Sequence, residues 1–223
     1  MVEWDGEGLA RLRHELYRFF ATSLLYPEEE RLALLTDAAN LVGEGQLAVF
    51  AFHQSWERLT QSLQKRMRLD DLEKEHVRLF SVGPGGALCP PHESFYLALP
   101  GQATALIVNQ VEREYTRLGL TIPPHMKSLP DHVSAEMDAM AFLCGKEAEA
   151  WRGEALHEAV QVLEEEGDFL RQHLGRWFPF FAERVLGIGE ETFYATVVGA
   201  ADAFIKHDID LLNILMKRVK GHD

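Results

Sequence analysis

Residues 79–96, Leu79-Phe80-Ser81-Val82-Gly83-Pro84-Gly85-Gly86-Ala87-Leu88-Cys89-Pro90-Pro91-His92-Glu93-Ser94-Phe95-Tyr96, decide how this chain is read. Proline fixes φ and glycine permits positive φ, so a loop dense in both holds one shape. On either side, apolar residues recur at three- and four-residue intervals, the period of a helix. Upstream, Leu72 and Leu79 share a stripe with His76, which reads as a partly buried histidine. Downstream, Val108, Val111, Tyr115 and Leu118 form the inner face of a helix over 102–118, closed by Gly119. The stretch therefore reads as an ordered loop between helices, and loops held on a rigid scaffold are where binding residues concentrate. A plain connector is the competing reading.

The same period extends in both directions. Leu9, Leu12, Leu16, Phe19 and Phe20 predict a helix that stops before Pro27, and 28–39 a short second one. Phe50, Trp56, Leu59 and Leu63 predict a helix over 47–69. Asp70, with Glu73 three residues on, predicts a capping box for a helix through Phe80. Ser128 and Asp131 predict another, with Pro130 in the first turn of a helix running to Trp151. Helices over 154–170, 174–185 and 190–207 follow, and 208–223 reads as partly helical or frayed. Thr192 to Val198 contains β-formers, but Phe193, Val197, Ala200 and Phe204 keep helical spacing. The fold class is all-α: a compact multi-helix bundle of about eight to ten helices. It reads as one domain over 1–223, softly divided at the Gly/Pro loop 81–101.

Composition narrows the function. With 22 basic against 35 acidic residues the net charge is −13, which repels nucleic acid and anionic membranes and favours basic partners. The acidic start Met1-Val2-Glu3-Trp4-Asp5-Gly6-Glu7 is no secretory signal, and no apolar run reaches membrane-spanning length. Two cysteines cannot make a disulfide framework, so the expected compartment is the cytoplasm.

The chemical motifs are sparse. Gly83-Pro84-Gly85-Gly86 lacks the Gly-Lys-Ser/Thr ending of a phosphate loop. Cys89 and His92 have ligand-like spacing, His125 and His132 add nitrogen donors, and His132 shares a helix face with Glu136. No second close ligand pair completes a zinc site. Cys144, beside Met137 and Met140, reads as a buried small hydrophobe. Ser94, His92 and Asp131 can be written as a triad, but no nucleophile elbow supports it. No enzyme and no cofactor is expected.

Taken in order, these stretches resemble the TorD family of cytoplasmic chaperones that mature molybdenum-containing redox enzymes, with the DmsD- and NarJ-like proteins as relatives. The resemblance is carried by Glu75-His76-Val77-Arg78-Leu79-Phe80, Gly83-Pro84, Pro90-Pro91-His92-Glu93-Ser94-Phe95-Tyr96, and Asp131-His132-Val133-Ser134-Ala135-Glu136. His173, Leu174, Trp177, Pro179, Phe181 and Phe193-Tyr194 continue it, so that it spans residues 10–207. His76 and His92 depart from the pattern, standing where the family commonly has aromatic residues.

The resemblance implies an all-helical chaperone without catalysis. It implies binding to the N-terminal, twin-arginine signal region of a molybdopterin-containing oxidoreductase catalytic subunit until the cofactor is inserted. An acidic surface attracts the basic start of such a signal, and its apolar middle calls for a greasy groove. By motif match the client site comprises Leu79, Phe80, Pro91, Glu93, Ser94, Tyr96, Asp131 and His132. Glu93 and Asp131 are candidates to pair with client arginines, and Phe80 and Tyr96 to be either apolar contacts or core anchors. A monomer or a domain-swapped dimer is expected. Two alternatives stand beside this: a NarJ-type client without a complete export signal, and a metal- or nucleotide-dependent protein using Cys89, His92 and His132.

Overall fold

A computed structural model describes residues 5–42, 47, 50–65, 68–81, 86–99, 103–120, 130–189 and 192–221. Among the described residues ten helices follow one another: α1 Gly6–Ser23, α2 Glu29–Leu41, α3 His53–Gln64, α4 Leu69–Phe80, α5 Glu93–Leu97, α6 Ala105–Leu118, α7 Val133–Arg152, α8 Leu156–Gln172, α9 Leu174–Leu186 and α10 Phe193–Lys220. There is no strand among them, only one isolated antiparallel bridge between His92 and His132. No described helix is long and apolar enough to cross a membrane.

The core forms around α7. Its buried positions, Val133 through Ala150, fall on every side of the helix, and many are alanine, so neighbouring helices approach closely. α1 lies along α7, α8 packs on the same helix, and α10 packs against α8, α9 and α3. α1 starts where the Asp5 carboxylate accepts the Gly8 N–H at 2.7 Å. α10 starts where the Thr192 hydroxyl accepts the Ala195 N–H at 3.3 Å. Aromatic rings join α1, α3 and α10: Phe20 stacks on Phe204 at 5.6 Å, and Trp56 meets Phe19 edge-on at 4.9 Å. Each such fully buried ring contributes about 1.5–3 kcal/mol over its exposed state.

Several boundaries differ from the sequence expectations, each for a local reason. The helix expected from residue 47 begins at His53, because the chain first turns at Phe50, whose N–H bonds the Leu47 carbonyl at 2.9 Å. The capping box at Asp70 is not made. α4 opens at Leu69 after Arg68, and Asp70 and Asp71 lie in its first turn, where carboxylates favour the helix dipole. Within the stretch read as loop, Glu93–Leu97 forms the short α5. α6 ends as expected on Gly119, at φ +75°.

The cap expected at Ser128 lies outside the described residues, as do Gly83, Pro84, Gly85 and His125. Asp131 is not in the first turn of α7. The helix begins at Val133, and His132 is its N-cap, accepting the Ser134 N–H on Nδ1 at 3.1 Å. Of the two readings of 208–223, partly helical or frayed, the helical one holds: this segment is the second half of α10, continuous to Lys220.

Candidate functional site

Two helix starts meet at one point. The Glu93 N–H donates to the Asp131 carbonyl at 3.0 Å, and the Val133 N–H donates to the Pro91 carbonyl at 2.9 Å. This clasp sets α5 against α7. Asp131 strengthens it from the side: its carboxylate accepts the Ser94 N–H at 3.1 Å and sits 3.3 Å from His92 Nδ1. Asp131 thus caps α5, not the helix that follows it in sequence. Burial raises its pKa, but the hydrogen bonds from His92 and Ser94 together outweigh burial and hold it below the usual carboxylate range. His132 meets the His92 ring edge-on at 5.1 Å. Burial, and then the neighbouring His92, pushes His132 down to about 3, so it stays neutral as an N-cap acceptor must.

Behind the clasp lies a second layer. Glu93 is 2% exposed and faces His173 Nδ1 at 3.0 Å. Glu136 is fully buried, and its Oε2 accepts the Trp177 Nε1–H at 2.8 Å. Burial, and then the charge of Glu93, raises the Glu136 pKa well above its ordinary value. Tyr115 closes the layer by donating its hydroxyl to the Pro130 carbonyl at 2.9 Å.

The eight residues selected by motif divide by depth. Leu79, Phe80, Pro91, Glu93, Ser94 and Asp131 are buried, while Tyr96 and His132 are half-buried. Phe80 packs inward among His76, Phe181 and Tyr194. Tyr96 stacks on Trp177 with rings 5.5 Å apart. The carboxylates expected to meet client arginines, Glu93 and Asp131, are both engaged beneath the surface, where His173, His92 and Ser94 already use them. His76, one of the two departures, does the packing of an aromatic ring, edge-on to Tyr26, Phe80 and Tyr194.

What faces outward near the clasp is a set of apolar side chains that the motifs did not select. Phe95 on α5 is 48% exposed and Phe180 on α9 is 54% exposed, with Leu88 and Leu99 also open. Arg184 ties Phe95 to Leu88. Its guanidinium lies 5.3 Å over the Phe95 ring, and its Nε–H donates to the Leu88 carbonyl. Phe180 sits one turn before Arg184 on α9. Phe95 follows the buried pair Glu93 and Ser94, and on so short a helix no periodicity reveals which side chain turns outward.

The metal-dependent alternative finds no geometry. Among the described residues no group of three or more His, Cys, Asp or Glu is placed to hold an ion, and Cys89 is buried, with burial raising its pKa.

Reasoning from sequence also missed a buried ionic cluster. Arg13 on α1 binds three carboxylates from three helices: Asp208 through Nε at 2.6 Å, Glu147 at 2.6 Å and Glu166 at 2.5 Å. Tyr17 donates to Asp208 at 2.7 Å, and Trp151 to Glu147 at 2.8 Å. The signal was present, because all four charges fall on apolar stripes. Arg13 lies between Leu9 and Leu16, Glu166 between Leu163 and Leu170, and Asp208 between Phe204 and Leu212.

Replacing Asp131 by alanine removes the cap of α5 and is expected to lower stability by about 1 kcal/mol. Because its folded pKa lies below the ordinary 3.8, the contribution of Asp131 is present above that pH and is lost as pH falls through the folded value. Thermal melts of wild type and Asp131→Asn between pH 6 and pH 3 check this. A wild-type acid limb no steeper than that of the variant contradicts the assignment.

A family model described as nitrate reductase delta subunit matches residues 49–183. The chain is 24% identical over 207 residues to the perchlorate reductase assembly chaperone protein of Dechloromonas aromatica (strain RCB), an alignment covering 92% of this chain and 91% of that one. It is 27% identical over 160 residues to the chlorate reductase assembly chaperone protein of Ideonella dechloratans, covering 71% of this chain and 80% of that one. It is 27% identical over 123 residues to the chaperone protein TorD of Vibrio parahaemolyticus serotype O3:K6 (strain RIMD 2210633), covering 55% of each chain. In fold it is similar to a redox enzyme maturation protein from Archaeoglobus fulgidus solved by crystallography, with a TM-score of 0.58 and 20% identity over 92% of this chain and 98% of that one.

Proposed function

Because this chain belongs to the nitrate reductase delta subunit family, which includes the TorD-like chaperones, we propose that it is an assembly chaperone of a molybdopterin-containing oxidoreductase and holds the N-terminal region of the catalytic subunit until the cofactor is inserted. It is a chaperone and not an enzyme. The observation that carries the reading is the likeness to the perchlorate reductase assembly chaperone along nine-tenths of both chains. The molecule's chemistry agrees: a net charge of −13 attracts a basic leader, and exposed apolar side chains near the clasp suit its greasy middle.

In this reading the leader meets Phe95, Leu88, Leu99 and Phe180, with Tyr96, His92 and His132 at the inner rim. Leu79, Phe80, Pro91, Glu93, Ser94 and Asp131 hold that surface in shape from below. The bound segment is the twin-arginine signal of an exported client. The working compartment is the cytoplasm, where such a client is made and filled.

Truncating Phe95 to alanine removes an exposed ring with little cost to the fold, and is expected to weaken binding of a synthetic leader peptide about tenfold, as losing an aromatic anchor does. Calorimetry with that peptide checks it, and unchanged affinity removes Phe95 from the site. The match to a family described by nitrate reductase favours a second reading, a client without a complete export signal. Pull-down of the tagged chain from its native host, followed by sequencing of the partner's N-terminus, separates the two. An Arg-Arg leader supports the first, and a catalytic subunit without one supports the second.

A further inference from the structure

A groove between α3, α4 and the start of α10 is used by neither the clasp nor the ionic cluster, and encloses about 1250 Å³. One rim is made by the stripe of α3 that its buried residues Trp56, Leu59 and Leu63 leave outside. Arg58 and Lys65 stand on that stripe two turns apart, and Arg68 follows at the head of α4. The side chains of Arg58 and Lys65 have no hydrogen bond or ion pair among the described residues. Among the described residues the Arg68 side chain reaches the exposed Asp70, at 3.7 Å.

The carboxylates on the opposite rim are already engaged. Asp71 faces Lys74 at 3.9 Å, and Glu75 accepts the Tyr194 N–H at 3.4 Å. On a chain of net charge −13, the described lining of this groove carries more cations, Arg58, Lys65 and Arg68, than carboxylates, Asp71 and Glu75. The α10 wall carries small side chains, Ala195, Thr196, Gly199 and Ala200. A Cβ added at Gly199 meets only Leu186 Cδ2, at 3.7 Å, and Leu186 itself is 47% exposed.

We propose that this groove docks a helix of a partner protein that turns carboxylates toward Arg58 and Lys65 and an apolar edge toward Leu186 and the small-residue wall. Charge complementarity selects an acidic segment and repels the basic start of an export leader, so this is a second contact, and it does not rest on the leader reading. A helix fits because the described residues offer no strand edge for backbone pairing, and small side chains on α10 let another helix axis come close.

The test uses the full chain and two labelled alanine-based helices, one with glutamates at i, i+3 and i+7 beside leucines, the other with lysines in their place. Fluorescence anisotropy is expected to show salt-sensitive binding of the glutamate helix and none of the lysine helix. The double variant Arg58→Glu/Lys65→Glu changes two exposed side chains and leaves the fold intact. It is expected to reverse the preference, weakening the glutamate helix about tenfold or more. Gly199→Leu fills the groove and is expected to abolish binding with the melting temperature retained. Failure of the glutamate helix to bind, equal binding of the two helices, or indifference to the charge reversal overturns the proposal. So does tight binding of inorganic triphosphate at these cations without binding of the glutamate helix, which would make the groove a polyanion site.

Discussion

Replacing Arg13 by alanine is expected to lower stability by about 3–5 kcal/mol, the cost of leaving buried charge without its partner. That is a large share of the roughly 5–15 kcal/mol that holds a domain folded, so much of the population unfolds. Among the described residues the guanidinium is the one cation contacting Asp208, Glu147 and Glu166, all fully buried, and its planar fork serves three helices at once. Lysine keeps the charge but has one point donor in place of the fork, so Arg13→Lys is expected to fall between wild type and alanine. Urea denaturation followed by circular dichroism checks both variants. If Arg13→Ala loses less than about 1 kcal/mol, the value of an exposed pair, the cluster does not tie the helices as described.

Alkaline pH is the second strong lever. Burial raises the pKa of Glu136, with the charge of Glu93 adding to it. Burial likewise raises Glu166 and Glu147, against the opposing pull of Arg13. A carboxyl whose folded pKa lies above its unfolded 4.5 binds a proton in the folded state that the unfolded chain has released. Stability therefore falls as pH rises above 4.5 and continues to fall until the folded pKa is passed. The slope is about 1.4 kcal/mol per pH unit for each such group.

Glu136→Gln isolates one of these groups, because the amide oxygen still accepts the Trp177 N–H but nothing ionises. The variant is expected to match wild type near pH 5 and to melt higher at pH 8. Parallel melting curves across that range would show that Glu136 is not protonated in the folded state.

Much of the fold follows from helical spacing alone, and the failures share a cause. Leu9 through Phe20, and Val108 through Leu118 with the cap at Gly119, form the helices their spacing predicts. Asp208 opens the segment that reads as partly helical or frayed, yet it is interior, because Arg13 pairs with it and Tyr17 donates a hydrogen bond to it from a helix nearly two hundred residues away. The spacing of Ser128 and Asp131 predicts that Asp131 caps its own helix, yet it caps α5. In both cases a local rule assigns a charged residue to a boundary, and a partner remote in sequence overrides it. The candidate site shows the same split. Its motif residues mark the shape of the clasp, whereas the outward rings Phe95 and Phe180 follow from which faces the assembled helices leave uncovered.

The reach of Arg13 also sets a timetable for biosynthesis. Its partners come 134, 153 and 195 positions later, so the guanidinium leaves the ribosome long before any of them. The first helix gains Glu147 and Glu166 as translation proceeds, but until the last helix is made it lacks Asp208, the carboxylate that also accepts the Tyr17 hydroxyl. A product stalled before Asp208 would present that unfinished helix to the cell's proteases, so a protein that guards unfinished enzymes is itself exposed to degradation until its own synthesis is nearly complete.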